Sequence, residues 1–214
     1  KAPLWIKALR TLALTAAALV GLDQAVLPNL PGRALTEGET TMLREVFKDS
    51  VDYKKIRIHH SAPATQWMNM QGAEGITHKN RIVIRNNACQ SDYSACTDDY
   101  FKYVLLHEAA HVWQGQNGLM PGMLKLAFQN YSKLLPRNSH HTHYEYTLTP
   151  DKPLTAFNVE QQAGIIADYH LYVKNGEQAR VFLHASDHAT FEAEKAAYEH
   201  TLRPFHQNPS RPHR

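Results

Sequence analysis

Two histidines and a glutamate lie close together in the chain as His107, Glu108 and His111. Residues four apart on an α-helix differ by about 40° around its axis, so His107 and His111 project from one face and can bind one metal ion. Glu108 lies beside them, where its carboxylate can hold a metal-bound water, accept its proton and later deliver a proton to a leaving amine. These residue types at this spacing predict metal-assisted hydrolysis.

This H-E-x-x-H spacing is typical of zinc peptidases. The chain has 14 histidines among 214 residues, yet chance would place the pattern only about 0.05 times in such a composition. Apolar residues flank the motif and neither Pro nor Gly interrupts it, which favours a buried helix over two surface histidines that happen to be four apart. The extended metzincin pattern needs Gly and His where this chain has Gln114 and Asn117, so that class is excluded.

A catalytic zinc site takes three protein ligands and keeps a fourth position for water. We expect Glu160 to be the third ligand, since Ala163 and Gly164 on its helix face are small enough to let that helix approach the motif helix closely. Two alternatives remain. Glu160 could be a solvated carboxylate at a helix start, stabilised by the helix dipole, or the third ligand could come from a preceding loop that contains His140, His141, His143 and Glu145.

The elements that must position these residues predict an α+β fold, predominantly α, with a small β-sheet. A capping box at Thr36–Glu39 starts a helix that we expect to run to about Asp49. Alternating residues predict strands, and periodic apolar residues predict further helices. The expected strands are 55–59, 81–85 and a less certain 67–70, and the expected helices are 98–115, 123–135, 157–173 and 189–202.

Composition favours one globular domain. Apolar residues make up 43% of the chain, charged residues 20%, and the net charge is +3 without charged blocks, which disfavours disorder and a dedicated nucleic-acid binder. We divide the chain into an N-terminal hydrophobic helix and linker (1–34), the main domain (35–202) and a basic, proline-rich tail (203–214) that is solvated or loosely packed. The apolar run Leu12–Leu22 is too short to span a bilayer, and it is either a core helix or a signal segment.

The two cysteines, Cys89 and Cys96, lie in a polar, turn-rich stretch. They are too few for a four-thiolate zinc site. We expect them to form a small-loop disulfide, which would indicate an oxidising compartment, and the alternative is two unrelated free thiols.

Other polar and aromatic residues have less specific interpretations. We expect Trp113 to pack in the core and the pair at His59–His60 to form a solvated turn rather than a second metal site. Asp168 could hydrogen-bond a ligand histidine. The residues eligible to stabilise the transition state are Tyr144, Tyr169, His143 and His170, and the sequence does not choose among them.

Three segments together resemble a known family. They are Leu35–Glu39 with Val46–Ile58, Leu106–Gln114, and Asn158–Ala163 with Asp168–Tyr169. They resemble the zinc metallopeptidase domains appended to bacterial type VI secretion spike proteins and Rhs-type polymorphic toxins, over roughly Leu35 to Tyr172. The resemblance implies a zincin-like core, zinc ligands at His107, His111 and Glu160, a general base at Glu108, and delivery into another cell, often its periplasm. Ala109–Ala110 departs from the pattern expected there, which is a larger residue and Thr or Gly, and this should not disturb the zinc ligands.

We therefore expect a secreted zinc metallopeptidase toxin, with one Zn²⁺ per chain, that acts in the target-cell periplasm; a periplasmic resident is the alternative location. Its substrates would be envelope proteins or the peptide stems of peptidoglycan. Its partners would be a secretion spike and a cognate immunity protein, and not nucleic acid. The rival functions are a non-catalytic, zinc-stabilised adaptor and a membrane-active toxin that uses Leu12–Leu22.

Overall fold

The computed structural model describes residues 32–60, 74–85, 89–119, 144–149, 152–177 and 190–210. Within these ranges the chain forms four α-helices and a three-stranded mixed sheet, which confirms the α+β prediction. The helices are α1 (Glu37–Phe47), α2 (Asp99–Gln116), α3 (Val159–Leu171) and α4 (Phe191–Gln207), and the strands are β1 (Arg57–His59), β2 (Gly75–His78) and β3 (Arg81–Ile84). Short 3₁₀ turns lie at Tyr53–Lys55, Leu154–Ala156 and Val173–Asn175.

The sheet has the order β1-β3-β2, with β1 parallel and β2 antiparallel to the central β3. The predicted strands at 55–59 and 81–85 correspond to β1 and β3. Sequence analysis missed β2, which pairs with β3 through a two-residue turn at Lys79 and Asn80. Lys79 has a φ of 53°, and this left-handed turn lacks the glycine that usually marks a tight hairpin in a sequence. The less certain strand at 67–70 and the helix at 123–135 lie outside the described residues.

Helix α1 begins with the predicted capping box. The Thr36 hydroxyl accepts a hydrogen bond from the Glu39 backbone N–H at 3.0 Å, and the Glu39 carboxylate accepts one from the Thr36 N–H at 2.9 Å. The fully buried Glu39 carboxylate also accepts two hydrogen bonds from Arg33, at 2.6 and 2.7 Å, and one from the Tyr93 N–H at 2.8 Å. It therefore joins α1 to the loop that precedes α2.

Helix α2 runs through the core and is buried from Tyr103 to Gln114. Its first turn is capped by Asp98, whose side chain accepts a hydrogen bond from the Tyr100 N–H at 3.0 Å. Trp113 is a core residue, as predicted, with its ring 6.3 Å from that of Phe47 and 5.1 Å from that of Phe205. Helix α2 therefore has core contacts on more than one side.

The C-terminal helix is longer than predicted. Helix α4 continues past Leu202 to Gln207, its Phe205 is fully buried, and the Pro209 carbonyl accepts a hydrogen bond from the Trp113 indole N–H at 2.8 Å. The expectation of a solvated or loosely packed tail from Arg203 is wrong for Phe205 and Pro209, which are buried, whereas Arg203, Gln207 and Asn208 are exposed. The reason is periodicity: Phe205 follows Leu202 by three residues and shares its face, so burial outweighs the helix-breaking tendency of a proline.

The pair at His59–His60 ends strand β1 but is not a solvated turn. His59 is buried and its ring lies so close to Gly32 that a Cβ there would come within 2.5 Å of it. The solvated-turn prediction is therefore wrong, because packing of the segment at Gly32 covers the end of the strand.

Among the described residues, no helix is long and apolar enough to cross a membrane. The apolar run Leu12–Leu22 lies outside the described ranges.

Cys89 and Cys96 form a disulfide with their Cα atoms 5.5 Å apart. The bond closes a loop that is also tied to Glu39 through Tyr93, and it ends two residues before the Asp98 cap of α2. The disulfide therefore stabilises the segment that leads into α2.

Reduction of this disulfide should lower the stability of the fold. An eight-residue ring is worth about 2–3 kcal/mol by loop entropy, so reductant should lower the melting temperature of protein made in an oxidising compartment. Intact mass under non-reducing conditions should show two hydrogens missing. A mass that corresponds to two thiols in that protein contradicts the disulfide.

A histidine pair joins α3 to α4. His170 Nε2 lies 3.2 Å from His206 Nε2, with Lys48 and Lys174 as the nearby cations. Burial, His206 and Lys174 lower the pKa of His170 to about 3. This interface therefore requires a neutral His170.

Acid should weaken the α3–α4 interface. Below about pH 6.5 the unfolded chain protonates His170 while the folded protein resists until about pH 3, so the free energy of unfolding falls as pH decreases across that window. Urea unfolding measures how much the free energy of unfolding falls between pH 7.5 and pH 5. This fall should be smaller in His170→Gln than in the wild type by about 1–2 kcal/mol. The exposed His200 of α4 gives the control, His200→Gln, which should keep the wild-type loss. An equal loss in all three proteins argues against this role.

Candidate metal centre

Three side chains from two helices meet at one point. His107 Nε2 and His111 Nε2 of α2 lie 3.2 Å apart, and the Oε2 atom of Glu160 on α3 lies 3.2 Å from the first and 3.1 Å from the second. All three residues are buried. Among the described residues they are the group whose ligand atoms are placed to hold a metal ion together.

The start of α3 positions Glu160. Asn158 caps this helix, and its side-chain oxygen accepts hydrogen bonds from the Glu160 and Gln161 N–H groups at 2.9 and 3.0 Å. Ala163 and Gly164 are buried, as close packing of α3 requires. Glu160 itself is only 7% exposed, so the alternative of a solvated helix-start carboxylate is wrong.

The spacing of the three atoms fits Zn²⁺. With ligand bonds of about 2.0–2.1 Å, two ligand atoms of a tetrahedral zinc site lie about 3.3–3.4 Å apart. The observed separations of 3.1–3.2 Å are within a few tenths of this. Two imidazole nitrogens and one carboxylate oxygen are also a common ligand set for catalytic zinc. The residues present therefore fit the metal that the motif predicts.

Glu108 follows His107 directly on α2, and its side chain contacts strand β2. The Thr77 hydroxyl lies 2.6 Å from Glu108 Oε2 and 2.9 Å from the Glu108 carbonyl oxygen. Gly75 packs against the Glu108 side chain. A Cβ atom at position 75 would lie 2.6 Å from Glu108 Cγ and 2.8 Å from Glu108 Oε1. Sequence analysis missed both residues because it did not predict β2.

The amide of Gln114 contacts the second histidine. Its Oε1 lies 2.8 Å from His111 Nδ1, on the side of the ring opposite the shared point. Sequence analysis used Gln114 only to exclude metzincins, although its position three residues after His111 on a helix places both on one face.

Tyrosines line the His107 side of the centre. The rings of Tyr103 and Tyr144 lie 6.0 and 6.4 Å from the His107 ring. Tyr103 also stacks on Tyr172 at 6.4 Å, and burial raises its pKa well above the usual value. A hydroxyl of this kind stays protonated and can donate a hydrogen bond.

Several other candidates lie elsewhere. His170 contacts His206, and Tyr169 packs against Tyr198, both at the α4 interface. Of the transition-state candidates, Tyr144 is the one that the structure places beside His107. His140, His141 and His143 lie outside the described residues.

Asp168 is fully buried, and its carboxylate accepts a hydrogen bond from the Tyr146 hydroxyl, which is 2.6 Å from the Tyr198 hydroxyl. This network joins Asp168 to α4. A hydrogen bond from a ligand histidine to Asp168 stays a prediction.

Purified protein should contain one zinc per chain, and His107→Ala or His111→Ala should abolish binding because two ligands hold the ion poorly. Glu160→Ala should weaken zinc binding far more than Glu145→Ala, its matched control from the competing loop. Metal content after dialysis measures both effects. Unchanged zinc in Glu160→Ala would show that the third ligand is another residue.

Comparison with known proteins finds similar sequences and a similar structure. Residues 34–119, which include α1, the sheet and α2, match the model of the eCIS core domain. The type VI secretion system spike protein VgrG2b of Pseudomonas aeruginosa is 33% identical over 145 residues, which are 65% of this chain and 13% of that protein. The chain therefore spans a small part of that relative.

The solved effector domain of Pseudomonas aeruginosa VgrG2b matches with a TM-score of 0.59 and 26% identity, over 90% of this chain and 94% of that one. The expected relationship to domains of type VI secretion spike proteins is therefore confirmed. Residues 34–119 thus match the eCIS core domain model, and the chain is homologous to the effector domain of VgrG2b.

Proposed function

We propose that this chain is a type VI secretion effector domain that hydrolyses peptide bonds with zinc. The observation that carries the proposal is the convergence of His107, His111 and Glu160 on one point, with Glu108 next to His107 in the sequence of α2. Homology to the VgrG2b effector domain supports the effector role.

Each residue has a separate role. His107, His111 and Glu160 would hold Zn²⁺, which supplies Lewis acidity that lowers the pKa of water to about 7 and polarises a carbonyl. Glu108 accepts the proton of the attacking water, whose oxygen bonds to the carbonyl carbon. The C–N bond then breaks, and Glu108 returns the proton to the amine nitrogen.

Strand β2 orients the base. The Thr77 hydroxyl donates a hydrogen bond to Glu108 Oε2 at 2.6 Å, and this contact fixes the orientation of the carboxylate that would take a proton from water. Gly75 leaves the space that this orientation needs, because a side chain there would displace the carboxylate. A zinc-stabilised adaptor has no need of such a held base, so these contacts favour an enzyme.

The site of action follows from delivery and redox state. A disulfide between Cys89 and Cys96 is suited to an oxidising compartment such as the periplasm. We therefore propose envelope proteins or peptidoglycan peptides as substrates, a secretion spike as the delivery partner and a cognate immunity protein as the inhibitor.

Glu108→Gln should retain zinc and fold but lose activity by about 10²–10⁴-fold, because only the proton acceptor is removed. The assay incubates zinc-loaded protein with envelope proteins and with purified peptidoglycan and identifies cleaved bonds by mass spectrometry. Periplasmic expression then tests toxicity. Equal toxicity of the wild type and Glu108→Gln from the same compartment contradicts the proposal.

Gly75→Ala should lower the activity while leaving the zinc content unchanged, since its methyl group would displace Glu108 and not a ligand. Gly115→Ala is the matched control, because a Cβ there meets nothing within 4 Å. We expect Gly115→Ala to keep wild-type activity. If Gly75→Ala is as active as Gly115→Ala, strand β2 does not position the base.

A further inference from the structure

The Gln114 side chain joins the motif helix to the helix of the third ligand. It is buried on α2, and its Oε1 lies 2.8 Å from His111 Nδ1. Its Nε2 donates to the Val159 carbonyl at 3.0 Å and to Gln162 Oε1 at 3.1 Å. Gln162 in turn donates from its Nε2 to the Phe157 carbonyl at 2.8 Å. The two amides form a continuous hydrogen-bonded chain.

Backbone carbonyls give this chain one direction. The Phe157 and Val159 carbonyls can only accept, so each glutamine must turn its nitrogen toward them. The Gln162 oxygen then faces Gln114, and the Gln114 oxygen faces His111. An amide oxygen also only accepts, so His111 Nδ1 must carry the hydrogen.

This hydrogen decides what His111 offers at the metal centre. A neutral imidazole has one N–H, so a hydrogen on Nδ1 leaves a lone pair on Nε2. That Nε2 lies 3.1 Å from Glu160 Oε2, a carboxylate that would favour a hydrogen on Nε2 instead. The Gln114 amide therefore opposes Glu160 in the choice of tautomer.

We propose that Gln114, backed by Gln162, is a positioning residue that fixes the metal-binding tautomer of His111. One end of this hydrogen-bonded chain is the Val159 carbonyl, directly before Glu160. The Gln114 amide therefore also sets the distance between α2, which carries His111, and α3, which carries Glu160. This inference rests on the metal centre of the proposed function but not on its peptidase activity. Outer hydrogen bonds of this kind typically change metal affinity by about 10–100-fold.

The first measurement needs no metal. Long-range ¹H–¹⁵N NMR of the metal-free protein at pH 8 should show His111 with its hydrogen on Nδ1, and Gln114→Met should reduce the population of that tautomer. A hydrogen on Nε2 of His111 in the wild-type protein overturns the proposal.

The second measurement is zinc affinity by chelator competition. Gln114→Met keeps the side-chain length without the polar ends, and it should bind zinc about 10–100-fold more weakly than the wild type. The matched control is Gln116→Met on the same helix, since Gln116 bonds Asp52 and Asn80 and no ligand. An equal loss of zinc affinity in both variants overturns the proposal.

A third variant guards against a misfolded Gln114→Met. Gln162→Met interrupts the hydrogen-bonded chain one amide away from His111. It should lower zinc affinity by a smaller factor than Gln114→Met does, and unchanged zinc affinity in Gln162→Met counts against the proposal. Wild-type protein that binds zinc but cleaves nothing removes the peptidase function and leaves this inference intact. Wild-type protein that binds no zinc overturns both.

Discussion

The structure depends on the convergence of two imidazole nitrogens and a carboxylate oxygen, all within 3.2 Å of one another and buried. Such atoms carry lone pairs, and bringing lone pairs together away from water is unfavourable unless a proton or a cation lies between them. Packing of α3 against α2, with the small residues Ala163 and Gly164 of α3 buried, enforces the approach. Metal binding and the association of these two helices should therefore stabilise each other.

The side-chain contacts of Glu108 differ from those of the three proposed ligands. His107, His111 and Glu160 meet between α2 and α3, whereas the carboxylate of Glu108, which also lies on α2, contacts Thr77 of strand β2. A short strand is a suitable support, because its backbone is fixed by pairing with β3 and its Gly75 brings the chain against the carboxylate. The proposed base and the proposed ligands therefore have different supporting contacts, so variants can test the two roles separately.

How much the sequence predicts depends on how local the signal is. The i, i+4 spacing of His107 and His111 and the caps of α1 and α3 are local patterns, and the structure forms these elements at nearly the predicted positions. The small residues Ala163 and Gly164 were sufficient to predict that the helix of Glu160 approaches the helix of the two histidines. Strand β2 could not be predicted in the same way, because its four residues lack alternation and its turn at Lys79 lacks glycine. Burial of His59 and Phe205 depends on segments distant in the chain, such as Gly32 and Trp113.

Two buried glutamates show how a structural carboxylate differs from a functional one. Glu39 is surrounded by donors: Arg33 gives it two hydrogen bonds, and the Thr36 and Tyr93 backbones give one each. Its charge is therefore satisfied within the fold. Glu160 instead directs Oε2 at two ring nitrogens, and the relay through Gln114 makes one of them an acceptor. A carboxylate held against an acceptor costs stability that a cation would recover, so this placement favours a binding role for Glu160 over a purely structural one.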